Sequence, residues 1–261
     1  MRPPVAAAGL DDRKEIETIM TLPEAAERYL AKSYNAVKGP SSKISAIVAT
    51  RLLAAQTAHG VHGHVAEIGV FEGRFFIALA LCVAPRERAI ATDHFTWPDE
   101  GIADRFLANC RAAGVNMDIV AVQKEATHNL TRETYRQFVG GPLRFLHVDG
   151  AHGYDGVLHD LQLAKAALHP QGILCLDDVL HPRYPALTIA IADWLKANPD
   201  FTILAIVDRE SFASACKFLV CRREHADFYR NALIAAAPEH VMNFRANYFG
   251  DEALIISPKA K

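Results

Sequence analysis

Glu67-Ile68-Gly69-Val70-Phe71-Glu72-Gly73-Arg74 joins an apolar run to an amphipathic one through two glycines four residues apart. The run before it, 64–68, has the length of a buried strand, and 74–83 repeats its apolar residues at helical spacing. The stretch therefore reads as a strand, a tight turn and a helix. Working outward, strand-length apolar runs at 64–68, 89–92, 118–122, 143–148, 172–176, 201–207 and 216–221 alternate with helical patterns at 74–83, 103–113, 131–138, 156–168 and 186–197. Alternation of this kind builds βαβ units on a parallel sheet. The expected fold is α/β, with a doubly wound, seven-stranded sheet.

The two ends read differently. Patterns at 11–34 and 43–58 are helix-like and flank Gly39-Pro40-Ser41-Ser42, a turn whose serine is placed to cap the second helix. Residues 1–60 are expected to form a helical layer or lid, 61–222 the ligand-binding core, and 223–261 a C-terminal extension. That extension holds a helix at 227–237 and a short apolar run at 253–256, which fits either a sheet edge or a subunit contact. Nothing repetitive or of low complexity divides the chain, so 1–261 is expected to be one domain.

The chain has 261 residues, 51% of them hydrophobic and 22% charged, with a net charge of −2. This length suffices for a full core, and the near-neutral balance provides no electrostatic footprint for nucleic acid or an anionic membrane. Residues 1–10 lack a basic segment followed by an apolar one, and no run reaches the roughly 18 apolar residues of a membrane span; a cytoplasmic protein is expected. Cys82, Cys110, Cys175, Cys216 and Cys221 are an odd set without C-x-x-C spacing, mostly inside apolar runs, and read as buried thiols.

Two groups of residues carry chemistry. At the turn, Gly69 and Gly73 let backbone approach a ligand closely, and Glu67 at the strand end can take a cationic or hydroxyl donor. Acidic residues there repel a pyrophosphate, and G-x-G-x-x-G is missing, so S-adenosylmethionine suits the turn better than a dinucleotide. Further on, Asp149 closes the fourth strand in Phe145-Leu146-His147-Val148-Asp149-Gly150-Ala151-His152-Gly153-Tyr154, and Asp177 and Asp178 close the fifth. Carboxyl ends of neighbouring parallel strands lie side by side, so three carboxylates converge and call for a cation. Oxygen ligands suit Mg²⁺.

The succession EIGVFEGR, TDHF, HVDGAHGYDGVLHDL and HPQGILCLDDV resembles the class I S-adenosylmethionine-dependent methyltransferases, in particular the metal-dependent sugar and macrolide O-methyltransferases related to macrocin O-methyltransferase. The resemblance runs over about 61–222. It implies a Rossmann-like sheet in the order 3-2-1-4-5-7-6 with the last strand antiparallel, and methyl transfer to a hydroxyl. By position it implies cofactor contacts from Glu67, Gly69, Phe71, Gly73, Asp93 and Asp149, with Asp93 on the ribose hydroxyls. It also implies metal binding by Asp149, Asp177 and Asp178, and His152 as general base. Glu125 is a further cofactor candidate, although Lys124 beside it departs from the family pattern. Phe95 and Trp97 fit adenine stacking or plain packing, Tyr154 fits the cofactor pocket or packing, and His181 is an alternative base. His62 and His64 read as surface residues.

The implied reaction is metal-assisted O-methylation of a small hydroxylated molecule, with a homo-oligomeric assembly and without nucleic-acid or membrane partners. An NAD-dependent oxidoreductase stays open because Asp93 falls where a ribose-binding acid would follow a glycine turn. A noncatalytic cofactor-binding protein and another reaction, such as hydroxylation, on the same frame stay open too.

Overall fold

The computed structural model describes residues 21–210, 215–248 and 250–258. Among these residues nine strands form one sheet in the order β3-β2-β1-β4-β5-β7-β6-β9-β8. They are β1 His64–Ile68, β2 Ala89–Asp93, β3 Val120–Lys124, β4 Leu143–Val148, β5 Leu168–Val179, β6 Phe201–Val207, β7 Cys216–Arg222, β8 Val241–Tyr248 and β9 Asp251–Ile256. Strands β1 to β5 are mutually parallel, and β7 runs antiparallel to both β5 and β6. The order and the antiparallel strand are those the resemblance implies.

The count of seven is exceeded because the C-terminal segment adds a hairpin. Its β9 pairs parallel with β6, Ala205 opposite Leu254, and buries Leu254 and Ile256 completely. The apolar run at 253–256 is therefore an inner strand of the sheet, with β8 outside it. The third strand starts two residues later than its apolar pattern suggests, because Asn116 accepts a hydrogen bond from the Asp118 amide at 3.0 Å and holds Met117–Ile119 in a tight helical turn.

Helices cover both faces. On one lie α1 Glu24–Arg28, α2 Lys43–Ala58, α3 Arg74–Ala80, α4 Ile102–Ala112 and α8 Ala226–Ala236; on the other lie α5 Arg132–Val139, α6 Tyr154–Ala167 and α7 Pro185–Ala197. Ser42 caps α2 by accepting from the Ser45 amide at 3.2 Å. Ile44, Val48, Leu52 and Leu53 are buried, so α2 is packed into the layer. Of the helix-like pattern 11–34, the part before residue 21 lies outside the described residues. The remainder is α1 followed by a wide turn, Tyr29–Ser33, and a tight one, Tyr34–Ala36. This change of pitch buries both tyrosines: Tyr29 donates to the Arg74 carbonyl at 2.8 Å and Tyr34 to the Ser41 carbonyl at 3.1 Å. The first segment is thereby tied to the glycine turn. All five cysteines are buried free thiols. Among the described residues no helix is long and apolar enough to cross a membrane.

Candidate active site

The parallel strands end along one edge of the sheet, and the sequence-expected residues are distributed there by register. Gly69 follows β1 with φ of +81°, and a Cβ on it would overlap the Asp149 carbonyl oxygen. Gly73 has φ of +89°, and a Cβ there would come within 2.8 Å of the Phe106 ring. Both positions therefore require glycine for backbone conformation and for close packing. Phe71 between them also adopts a positive φ, +49°. Asp93, ending β2, braces this turn: its Oδ2 accepts from the Val70 and Phe71 amides at 2.9 and 3.1 Å, and Oδ1 from Phe95 at 2.8 Å. A carboxylate offers about four acceptor positions, so little capacity remains for a ribose diol.

The aromatic residues nearby separate into two roles. Phe95 is buried against Phe106, whereas Trp97 is 66% exposed and leans on Phe71 with ring centroids 5.4 Å apart. Glu125 turns to its own loop, accepting from Asn129 at 2.6 Å and from the Ala126 amide, and the Asn129 bond holds its carboxyl below the usual range. His62 and His64 lie at the opposite end of β1 beside Glu87 and Arg88. Tyr154 donates to Asp193 on α7 at 3.0 Å.

Beneath the edge runs a buried chain of polar groups that the motif reading does not contain. Glu67 Oε1 and His147 Nδ1 are 2.7 Å apart, and His147 Nε2 lies 2.9 Å from Lys217 Nζ. Lys217 is ion-paired with Asp177, and Ser41 donates to the same Asp177 oxygen at 3.3 Å. Burial pushes the Asp177 carboxyl up, but the Lys217 ammonium and His147 outweigh it and hold the group far below the usual carboxylate range. Glu67 is raised by burial, which His147 only partly offsets. A histidine within Leu143–Val148 and a lysine within Cys216–Arg222 are the signals that could have located this chain, since a charged side chain in a strand buried on both faces needs a partner.

At the rim, Asp149, His152 and Asp178 each offer a donor atom, all mutually within 4.8 Å. His152 Nε2 is 2.7 Å from Asp178 Oδ2. The His152 ring stacks on Tyr184 at 4.2 Å between centroids, and His181 stacks on Tyr184 as well, at 5.0 Å. Asp178 and Leu180 carry positive φ of +56° and +60°, a strained backbone that turns the two consecutive aspartates different ways. Asp178 thus joins Asp149 and His152, while Asp177 joins Lys217. Burial, then the negative charge of Asp177, raises the Asp149 carboxyl well above its ordinary range. A small cleft lies against this cluster, lined by Asp149, His152, Asp177, Asp178, Leu187 and Ile191 among others.

The donor chemistry fits both groups that the resemblance implies. Glu67 Oε2 is buried without a hydrogen-bond partner, and an ammonium of the kind S-adenosylmethionine carries would satisfy it. Asp149 and Asp178 present carboxylate oxygens in a locality with excess negative charge, which suits a divalent cation.

Residues 66–179 match a sequence family described as a methyltransferase domain. No curated protein matches the chain. Among solved structures, the O-methyltransferase TomG from Streptomyces achromogenes, involved in tomaymycin synthesis and bound to S-adenosylmethionine, superposes with a TM-score of 0.56 at 17% identity, over 81% of this chain and 96% of its own. An O-methyltransferase from Bacillus cereus, bound to S-adenosylhomocysteine, gives 0.54 at 14% identity, covering 82% and 97%. CalS11, a TDP-rhamnose 3′-O-methyltransferase of calicheamicin biosynthesis, gives 0.54 at 14%, covering 84% and 96%. At these identities the likeness is one of fold.

Proposed function

We propose that the protein is a class I, S-adenosylmethionine-dependent enzyme that transfers a methyl group to a hydroxyl of a small molecule, with a divalent cation, Mg²⁺ by preference, assisting; the match of residues 66–179 to a methyltransferase domain and the fold shared with O-methyltransferases support it. The observation that carries this reading is the His152–Asp178 pair at 2.7 Å, placed beside Asp149 at the carboxyl ends of β4 and β5. The three structural neighbours are O-methyltransferases by name, and one acts on a sugar nucleotide, which supports the choice of oxygen as acceptor.

The residues divide the work as follows. Glu67 would receive the cofactor's ammonium on Oε2, the turn at Gly69, Phe71 and Gly73 would receive its amino-acid end, and Asp93 holds that turn in shape. S-adenosylmethionine supplies a methyl group on a sulfonium, and attack on it needs an oxygen nucleophile in line with the departing sulfur. A neutral hydroxyl is a poor nucleophile, so a proton must leave. Asp178 accepts the His152 Nε2 proton and fixes the tautomer, leaving Nδ1 with a lone pair for the acceptor's proton. Tyr184 holds the ring from behind. Asp149 and Asp178 would hold a divalent cation, which when bound would lower the proton affinity of the acceptor hydroxyl and fix its orientation. Alignment of donor and acceptor contributes about 7 kcal/mol or more in favourable systems.

The acceptor is a sugar or an aromatic diol, selected by Trp97, Leu180 and Tyr184 at the rim; Trp97 and Leu180 are exposed. The reading is completed by a cytoplasmic, homo-oligomeric protein without nucleic-acid or membrane partners. Calorimetric titration with S-adenosylhomocysteine, followed by mass spectrometry of a panel of sugar nucleotides and catechols incubated with S-adenosylmethionine, tests it. Binding and a gain of one methyl on oxygen are expected. Absence of S-adenosylhomocysteine binding sinks the proposal.

A further inference from the structure

Lys217 lies in the middle of the polar chain, its side chain 1% exposed on β7. An ammonium has three protons to donate and no capacity to accept. Three acceptors meet it: Asp177 Oδ2 in the ion pair, His147 Nε2 at 2.9 Å and Ser41 Oγ at 3.2 Å. The Phe75 ring lies against it, 5.0 Å from Nζ to the centroid. Every proton is thus used, and the partners sort themselves. Ser41 accepts from Lys217 and donates to Asp177, while His147 accepts at Nε2 and donates from Nδ1 to Glu67. Asp177 Oδ1, the other oxygen of that carboxylate, accepts from the Asp178 amide at 2.8 Å. The carboxylate has its counter-charge and its hydrogen bonds within the protein. Among the described residues Asp149 has no ion pair or hydrogen bond of this kind: the Lys217 charge reaches it only at longer range, and burial with Asp177, Asp178 and Glu67 outweighs that charge.

We propose that Lys217 is a resident cation that occupies Asp177 in place of a divalent ion, so that the ion of this site rests on Asp149 and Asp178 and not on Asp177. The consecutive aspartates then have separate duties: Asp177 anchors β5 to β7 and to Ser41 of the N-terminal segment, and Asp178 faces the rim. Lys217 is a positioning residue, because it acts through Asp177 and His147 and has no contact with the rim. The placement of the ion rests on the proposed cation-assisted reading; the pairing of Lys217 with Asp177 does not.

Titration of the full-length protein with Mn²⁺, in the presence of S-adenosylhomocysteine and followed by electron paramagnetic resonance of the free ion, separates the possibilities. Asp177→Asn is expected to bind Mn²⁺ as the unaltered protein does, whereas Asp149→Asn and Asp178→Asn lose about tenfold or more in affinity. Lys217→Met uncovers a third carboxylate and is expected to strengthen binding about tenfold. Since that variant leaves Asp177 buried and unpaired, Lys217→Met combined with Asp177→Asn serves as the folded control, its Mn²⁺ affinity expected to match the unaltered protein. Equal losses in Asp177→Asn and Asp178→Asn overturn the proposal. If the unaltered protein takes no Mn²⁺, a gain in Lys217→Met upholds the resident-cation role, and no gain overturns it. Affinity for S-adenosylhomocysteine, measured by calorimetry on the same samples, reports separately on the methyltransferase reading.

Discussion

Nε2 of His152 sits 2.7 Å from Oδ2 of Asp178, even though Asp178 must adopt a left-handed backbone, φ +56°, to present that oxygen. The strained conformation costs of order 1–3 kcal/mol, and what it achieves locally is the separation of Asp178 from Asp177 and its delivery to the imidazole. In the proposed role of base, His152 would serve the proton transfer and not the binding of the methyl donor. His152→Ala is expected to lower kcat roughly 10²- to 10⁴-fold while leaving S-adenosylhomocysteine affinity unchanged. Stopped-time methylation assays and calorimetry on one preparation check both halves; an unchanged kcat removes His152 from the role.

Asp149 should show the opposite sign in stability and in activity. Its carboxyl is raised well above the ordinary range by burial and by Asp177, so the ionised form is disfavoured in the folded chain. A group whose folded pKa lies above its unfolded one, about 3.9 for an aspartate, adds most stability below that unfolded value, and the contribution is lost as pH rises through the folded pKa. Asp149→Asn is therefore expected to raise Tm at pH 7, by about 2–4 °C for each kcal/mol relieved in a protein of this size. The gain should shrink below about pH 4, where the carboxyl is protonated in both states. Activity should fall at the same time. Scanning calorimetry without ligand at two pH values is the measurement, and a lower Tm at pH 7 contradicts the argument.

Much of this was legible in the residues, and the parts that were not have physical reasons. The strand, turn and helix around Gly69 were readable because glycine spacing, a bounding carboxylate and a change of hydrophobic period coincide within ten residues. Three carboxylates at two strand ends were readable for the same reason of locality. That Asp177 and Asp178 face opposite ways follows from strand alternation, but which of the two faces the rim was not legible, since it depends on the register and on the left-handed backbone at Asp178. Lys217 lies 40 positions from Asp177 in the chain, and a single lysine within an apolar run carries no pointer to its partner. The β8–β9 hairpin was missed because β8 is polar and half exposed, its Phe244 facing out, and only its pairing with β9 makes it a strand.

The glycine turn permits a test of the fold and the cofactor site together. A methyl group at Gly69 would meet the Asp149 carbonyl on the neighbouring strand, in a backbone conformation that costs an L-residue about 1–2 kcal/mol on its own. Gly69→Ala is expected to destabilise the chain by more than that figure and to abolish S-adenosylhomocysteine binding. Gly153→Ala, where φ is negative and the added carbon meets nothing within 4 Å, is the control: it should leave S-adenosylhomocysteine binding unchanged and cost no more than a weakened helix N-cap. Chemical denaturation and calorimetry compare the two; similar behaviour of both variants would remove the argument for close approach at Gly69.

Tyr184 offers the finest separation of chemistry from folding. Its ring lies parallel to that of His152, 12° between planes, and His181 stacks on it too at 29°. An aromatic pair contributes about 0.5–1.5 kcal/mol beyond its buried area. If that energy holds the His152 ring in its productive orientation, its loss appears in the barrier, and Tyr184→Ala should reduce kcat roughly 2- to 12-fold. Tyr184→Phe keeps the ring and should retain full kcat, since no hydrogen bond from the phenol is invoked. KM for the methyl donor should be the same in both variants, because the Tyr184 ring stacks on His152 and His181 and not on the glycine turn. A Tyr184→Phe variant as slow as Tyr184→Ala would assign the effect to the hydroxyl, and stacking would lose its role in orienting the base.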